Sequence, residues 1–162
     1  MKKRGFTLVE LMIVIVIIGI LAAVAIPKFA DMVDKSKEGA TKAQLTALRS
    51  ALQVYYGDNE GKFPRTSVSQ TNTPQADSVV LNTTLIPKYI SDIGMAKLPV
   101  KTGNHTCARE NSQVYVVNVP TQNASTTQGG WAYDGSDTNN TWGDLRVNCS
   151  GYTLTNVSWT SF

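Results

Sequence analysis

Apolar residues follow two successive patterns in the first third of the chain. Residues 11–26 form an unbroken uncharged and almost wholly apolar run. From residue 28 to residue 56 apolar side chains instead recur at steps of three and four: Phe29, Met32, Val33, Leu45, Leu48, Ala51, Leu52 and Tyr55. The first pattern indicates a helix that is apolar all round, and the second a helix with one apolar stripe. We therefore predict one long helix whose outer half packs on a domain.

Two residues weaken this helix, and a cluster of turn residues ends it. Glycine costs about 1 kcal/mol relative to alanine in a helix, and proline removes a backbone donor, so a bend or loosening is expected between Gly19 and Pro27. The isolated chain should have a continuous or kinked helix there. Glycine, aspartate and asparagine at residues 57–61 predict that the helix ends near Tyr56.

Beyond the helix the sequence indicates loops and short strands. Residues 64–78 are polar and contain two prolines, which predicts a surface loop. Candidate strands lie at residues 113–119, 130–133, 145–148 and 151–157. We expect an α+β fold in which an antiparallel sheet of about four strands is covered by the outer half of the helix. No internal repeat and no second domain are apparent.

The net charge of +3 arises from 15 Lys and Arg against 12 Asp and Glu. Three of the cations are Lys2, Lys3 and Arg4, and the remainder of the chain is balanced. A basic protein can attract nucleic acid or anionic lipid, but here the excess is confined to the start of the chain. No specific nucleic-acid partner is therefore predicted.

Three interpretations of the first apolar stretch compete. The 21 residues from Phe6 to Ile26 would reach about 31 Å as a helix, enough to span a membrane. A secretory signal peptide is an alternative, because residues 23–25 imitate a cleavage site, but its apolar core is usually only about 7–15 residues long. A plain membrane anchor leaves Glu10 unexplained, since an acidic group inside lipid costs roughly 2.5–3.5 kcal/mol.

The sequence Gly5-Phe6-Thr7-Leu8-Val9-Glu10, followed by the apolar run and Ala25-Ile26-Pro27, resembles the N-terminus of type IV prepilins and their pilin-like relatives. The resemblance covers about the first thirty residues. It implies that a membrane-embedded prepilin peptidase cuts between Gly5 and Phe6, and that the new Phe6 amine is N-methylated. Residues 1–5 would then be a leader peptide.

The same resemblance implies a role for the lone carboxylate. In such filaments Glu10 of one subunit is thought to face the Phe6 amine of its neighbour, and Thr7 belongs to the same assembly motif. An unpaired carboxylate and an unpaired ammonium are each costly in a dry environment, but they offset one another within about 4 Å. The implied organisation is an assembly helix over residues 6–27, an amphipathic outer half over 28–56 and a globular domain over 57–162.

Cys107 and Cys149 are the only cysteines. In a cytosolic chain they could be free or metal-bound, whereas a domain exported across the membrane meets oxidising conditions. A disulfide is expected, and by resemblance it corresponds to the C-terminal disulfide loop of type IV pilins.

Signals for catalysis are lacking, because no phosphate-binding, zinc-protease or serine-nucleophile motif is present. The best candidate for a cofactor is a calcium ion held by Asp134, Asp137 and Asp144, since calcium prefers oxygen ligands. The same residues are ordinary turn formers, and the loop lacks the glycine and final glutamate of an EF-hand. No other cofactor is predicted.

Two structural functions are consistent with these features. The first is a major pilin, stored in the inner membrane and polymerised by an assembly platform into an extracellular pilus used for adhesion, motility or DNA uptake. The second is a major pseudopilin of a type II secretion system, to which residues 52–64 and 129–131 also bear a resemblance. The paired cysteines favour the pilin. A third class, an anchored periplasmic binding domain that never assembles, is disfavoured by Glu10.

Overall fold

A computed structural model describes residues 5–65, 81–99, 107, 110–112, 114–116, 129–138 and 140–162. The elements are α1 (Leu8–Asp58), β1 (Ala96–Lys97), β2 (Glu110–Asn111), β3 (Val114–Val116), β4 (Trp131–Tyr133), β5 (Leu145–Val147) and a 3₁₀ turn at Trp159–Ser161. Residues 81–85 are also helical. The α+β architecture expected from the sequence is confirmed.

Helix α1 continues through both of its weak points. Its 51 residues correspond to about 77 Å of helix, and Pro27 lies within it. The helix ends at Asp58, two residues beyond the expected position. There the backbone N–H of Asn59 and its side-chain amide both donate to the Tyr55 carbonyl, which caps the last turn. The isolated chain therefore has a continuous helix, one of the two expected outcomes, and the helix break expected at Gly19 and Pro27 is not present.

The first half of α1 projects away from the domain. Its most apolar 18-residue stretch has a mean hydropathy of 3.0, and none of that stretch is buried. By length and composition this helix is able to cross a membrane.

The outer half of α1 first contacts the domain at a position closer to the helix C-terminus than the apolar pattern indicated. The buried positions are Asp34, Glu38, Thr41, Leu45, Leu48, Ala51 and Leu52. Phe29, Met32 and Val33, which we assigned to the stripe, are 70%, 66% and 44% exposed, so this part of the prediction is wrong. The first turns of the contact are polar because they meet backbone groups of the domain, as Glu38 does at Leu154 and Thr41 at Lys97.

The described strands form two small sheets instead of one antiparallel sheet of about four strands. In the first sheet β1 pairs with β2 antiparallel. In the second, β3 pairs with β4 parallel and β4 pairs with β5 antiparallel, in the order β3-β4-β5. Strand patterns carry no information on pairing direction, and the connection from β3 to β4 is long enough for a parallel crossover.

The last candidate strand, residues 151–157, is a turn. It contributes one isolated antiparallel bridge, between Tyr152 and Ser158. The Thr153 N–H donates to the Val157 carbonyl at 2.7 Å, and Asn156 adopts a φ of 61° to close the turn. Parts of two other predictions, namely residues 66–78 of the polar loop and residues 113 and 117–119 of the first strand, lie outside the described residues.

Side chains of α1 satisfy the backbone of both sheets. The Lys97 N–H of β1 donates to the Thr41 hydroxyl at 2.8 Å. Arg49 donates from Nε and Nη2 to the Leu145 carbonyl of β5, at 3.0 and 2.7 Å. Behind these contacts Leu48, Leu52 and Trp131 are fully buried in one core. Helix and sheets are thus joined by both apolar burial and direct hydrogen bonds.

Candidate functional site

The N-terminus of α1 closes on itself through Thr7 and Glu10. Thr7 is the N-cap residue, and Glu10 Oε2 accepts from the Thr7 N–H at 2.8 Å and from the Thr7 hydroxyl at 2.7 Å. The Glu10 N–H donates in return to Thr7 Oγ1 at 3.3 Å. This reciprocal arrangement is a capping box, which satisfies backbone donors that a helix end otherwise leaves unpaired.

The lone carboxylate is therefore held in one orientation by its own helix. All three hydrogen bonds involve Thr7, and Oε1 of Glu10 accepts none from the residues that the structure describes. Such a carboxylate can still accept an ammonium from another molecule on its second oxygen. The sequence contained the signal for the capping box, Thr7-Leu8-Val9-Glu10, but the prediction of an intermolecular partner did not include it.

The expected cleavage site precedes the helix. Gly5, Phe6 and Thr7 have no regular secondary structure, and Phe6 is 72% exposed. No atom lies within 4 Å of a Cβ placed on Gly5. The peptide bond between Gly5 and Phe6 is thus accessible in the isolated chain. Residues 1–4 of the expected leader lie outside the described residues.

The expected disulfide is confirmed. Cys107 and Cys149 are bonded, with their Cα atoms 5.9 Å apart, and both side chains are buried. Cys149 lies two residues after the end of β5, so the bridge ties Cys107 to this sheet. The bond stabilises the globular domain and makes no contact with the N-terminus of α1.

The three carboxylates proposed for calcium are each bound to a different protein donor. The buried Asp134 accepts from the Ser136 N–H at 3.0 Å and from the Thr141 hydroxyl at 2.6 Å. The other two form ion pairs at 2.7 Å, Asp137 with Arg65 and Asp144 with Arg146. Within the described parts of the chain no group of three or more His, Cys, Asp or Glu is arranged to hold a metal. The geometry supports the turn interpretation of this loop.

Tyr133, the last residue of β4 before this loop, is hydrogen-bonded to the segment that follows α1. Its hydroxyl donates to the Pro64 carbonyl at 2.7 Å. Burial, and to a smaller extent the negative charge of Asp134, raise the pKa of the Tyr133 phenol. The phenol therefore stays a neutral donor, and it fixes the segment that follows the helix.

Comparison with known proteins gives a family match at the N-terminus. A family model described as "Prokaryotic N-terminal methylation motif" matches residues 1–26. Three of the relatives are a pilin, a fimbrial protein and a type II secretion protein. A "Type IV major alpha-pilin" of Moraxella bovis is 47% identical over 62 residues, which are 38% of this chain and 38% of the relative. A "Fimbrial protein" of Neisseria meningitidis is 34% identical over 112 residues, 69% of this chain and 58% of the relative.

The third relative is a "Type II secretion system core protein G" of Klebsiella michiganensis, 44% identical over 65 residues, which are 40% of this chain and 45% of the relative. The chain spans about half the length of the curated relatives it matches. No solved structure matches the chain. The methylation motif, the exposed apolar helix and these relatives together support the superfamily of type IV pilins and type II secretion pseudopilins, whose members are structural and not catalytic proteins.

Proposed function

We propose that this chain is the major structural subunit of a bacterial type IV pilus. The observation that carries the proposal is the apolar stretch of α1 over residues 11–26, none of which is buried, together with one oriented carboxylate before it and an accessible Gly5-Phe6 bond. Such an apolar surface is unfavourable in water, so it has to be covered by lipid or by other copies of the chain. In a filament subunit, lipid covers this surface before assembly and other subunits cover it afterwards.

In the first state the subunit is stored in the inner membrane. The cations before residue 5 favour retention of the N-terminus in the cytoplasm, with the globular domain on the far side. Prepilin peptidase then cuts between Gly5 and Phe6, and the Phe6 amine is methylated. The capping box offsets part of the cost of Glu10 in lipid, because Thr7 supplies two hydrogen bonds to the carboxylate.

In the second state an assembly platform transfers the subunit into a helical homopolymer. Glu10 pairs with the Phe6 amine of a neighbour, and only a subunit that has been cleaved can offer that amine. The pair therefore sets the register between copies. The extended filament would serve adhesion, motility or DNA uptake at the cell surface.

A major pseudopilin of a type II secretion system is the second candidate, favoured by the similarity to a type II secretion system core protein G. The bond between Cys107 and Cys149 supports the pilin, because a long external fibre meets harsher conditions than a short periplasmic one. Electron microscopy distinguishes the two. Fibres sheared from cells that express the chain should be long and extracellular, and the mass of their subunit should start at a methylated Phe6.

Two results would overturn the proposal. Subunits that begin at Met1 or at Ile26 would refute the processing step, as would normal fibres from a Gly5→Val variant. If cells carry no external fibres and deletion of the chain stops the secretion of folded cargo, the pseudopilin function is correct instead.

A further inference from the structure

Two large apolar side chains of α1 lie beyond the membrane span and have no cover. Phe29 and Met32 are 70% and 66% exposed, although they follow Ile26 by only three and six residues. In the stored subunit Phe29 lies about 5 Å past the span, where lipid headgroups still shield it. Once the subunit leaves the membrane this shielding is lost. We refer to Phe29 and Met32 as the knob.

A groove lies further out on the same helix. It has a volume of about 330 Å³ and runs between α1 and the C-terminal turn, lined by Lys35, Glu38, Gly39, Lys42, Leu154 and Thr155. Along the helix it begins about 13 Å beyond Ile26, so hydrocarbon does not reach it. No atom lies within 4 Å of a Cβ placed on Gly39, which leaves the helix side of the groove open.

Two of the three charged side chains that line the groove, Glu38 and Lys42, already have partners. Glu38 Oε2 accepts from the Leu154 N–H at 3.0 Å, and Glu38 Oε1 is paired with Lys42 at 2.7 Å. Lys42 also lies over the Phe162 ring, 4.5 Å from its centroid. The surface left for a ligand is mostly apolar: it consists of Leu154, Gly39 and the aliphatic parts of the lysines, with Thr155 and the Lys35 ammonium at its edge. It therefore fits an apolar side chain better than an ion.

We propose that this groove receives the knob of a second copy, an inference that rests on the proposed filament function. The knob continues the surface of the span that the filament would already bury. The groove is centred nine to ten residues after Phe29, which is about 14 Å along the helix. At about 100° per residue the two features also lie on different faces of α1, roughly 100° apart.

This offset determines the kind of assembly. Each copy offers one knob and one groove, so the contact joins two different surfaces and is heterologous. A heterologous contact that advances the copy along its axis does not close, and it generates an open helical polymer. The pair between Glu10 and the Phe6 amine also moves the second copy outward, but by only about 6 Å. The two contacts therefore join a copy to different neighbours.

Filling the groove tests the proposal. Gly39→Leu occupies the groove without a clash in the isolated chain, because its surroundings are open. Gly57→Leu is the matched control, since Gly57 is also in α1 with no atom within 4 Å and lies outside the groove. Gly39→Leu should lower the yield of sheared fibres by about tenfold or more, as expected for the loss of one large buried side chain. Gly57→Leu should leave the yield unchanged.

Both variants should melt at or above the wild-type temperature in detergent, because glycine is replaced within a helix. Wild-type fibre yield from Gly39→Leu would overturn the proposal. If the wild-type chain itself makes no fibres, the proposed function fails, which is a separate outcome.

Cross-linking provides an independent measurement. The described cysteines are both in the disulfide, so a chain carrying Phe29→Cys and Thr155→Cys adds one new thiol to each side of the contact. Oxidised fibres should give a ladder of dimers, trimers and larger species, whereas Phe29→Cys alone should stay monomeric. Dimers from the single variant, or intact fibres without a ladder, would overturn the proposal. If Phe29→Cys prevents assembly, Met32→Cys with Thr155→Cys provides the same measurement.

Discussion

Thr41 connects α1 to the first sheet, and its loss should destabilise the domain more than its size suggests. The side chain is fully buried. Its hydroxyl accepts from the Lys97 N–H at 2.8 Å and shares its own proton between the carbonyls of Lys97 and Lys37. Thr41→Val preserves the shape of the side chain but removes the hydroxyl, so both backbone groups of Lys97 lose their partner.

The magnitude follows from these two groups. An unpaired buried donor or acceptor costs about 1–3 kcal/mol, and the exposed side chain of Lys97 admits some water, so we expect a loss of about 2–3 kcal/mol. For a chain of this size that lowers the melting temperature by about 4–12 °C. Thr41→Ser retains the hydroxyl and should lose less than about 1.5 kcal/mol.

Thr46→Val is the matched control. Thr46 is exposed and its hydroxyl donates to the carbonyl four residues earlier, as that of Thr41 does, at 3.0 Å in each case. The control should change the free energy of unfolding by no more than about 0.5 kcal/mol. Unfolding of the full chain in detergent can be followed by the fluorescence of the buried Trp131 and Trp159. Equal stability of the two valine variants would refute a structural role for the Thr41 hydroxyl.

Three further predictions concern the N-terminus, the disulfide and the acidic loop. Glu10→Ala should insert and be cleaved normally yet form few fibres. Thr7→Val should lower the fibre yield several-fold, because an N-cap contributes about 0.5–2 kcal/mol to helix stability. Thr7→Ser keeps the capping hydroxyl and should restore the yield. Wild-type yield from Glu10→Ala would contradict the pairing. Replacing Cys107 and Cys149 by alanine should cost about 4 kcal/mol, given their separation of 42 residues, and reduction of the wild type should have a similar effect. A chelator should leave the melting temperature unchanged, since Asp134 is already satisfied by protein donors; a clear decrease would support a bound calcium ion.

Some relevant signals were present in the sequence but incompletely interpreted. The spacing of Thr7 and Glu10 is that of a capping box, and the structure forms one. The resemblance to prepilins predicts for Glu10 only a partner on another molecule. The hydrogen bonds from Thr7 add to this prediction, because they orient the Glu10 carboxylate in the isolated chain, before any second copy binds.

The sequence by itself determined the features that depend on nearby residues or on solvent. An uninterrupted apolar run makes a helix able to span a membrane whatever follows it, and α1 has that exposed half. The two cysteines of an exported domain indicated a disulfide, and Cys107 and Cys149 are bonded. These outcomes need little information about distant parts of the chain.

Only the tertiary structure decided where α1 first meets the domain, how the strands pair and which partners the acidic residues take. Phe29 fits the apolar period as well as Leu45 does, but only Leu45 has a domain beside it. The parallel pairing of Val114 with Trp131 and the ion pair of Asp137 with Arg65 join residues far apart in sequence. Local patterns set what a residue can bury, whereas the approach of distant segments sets what it actually contacts.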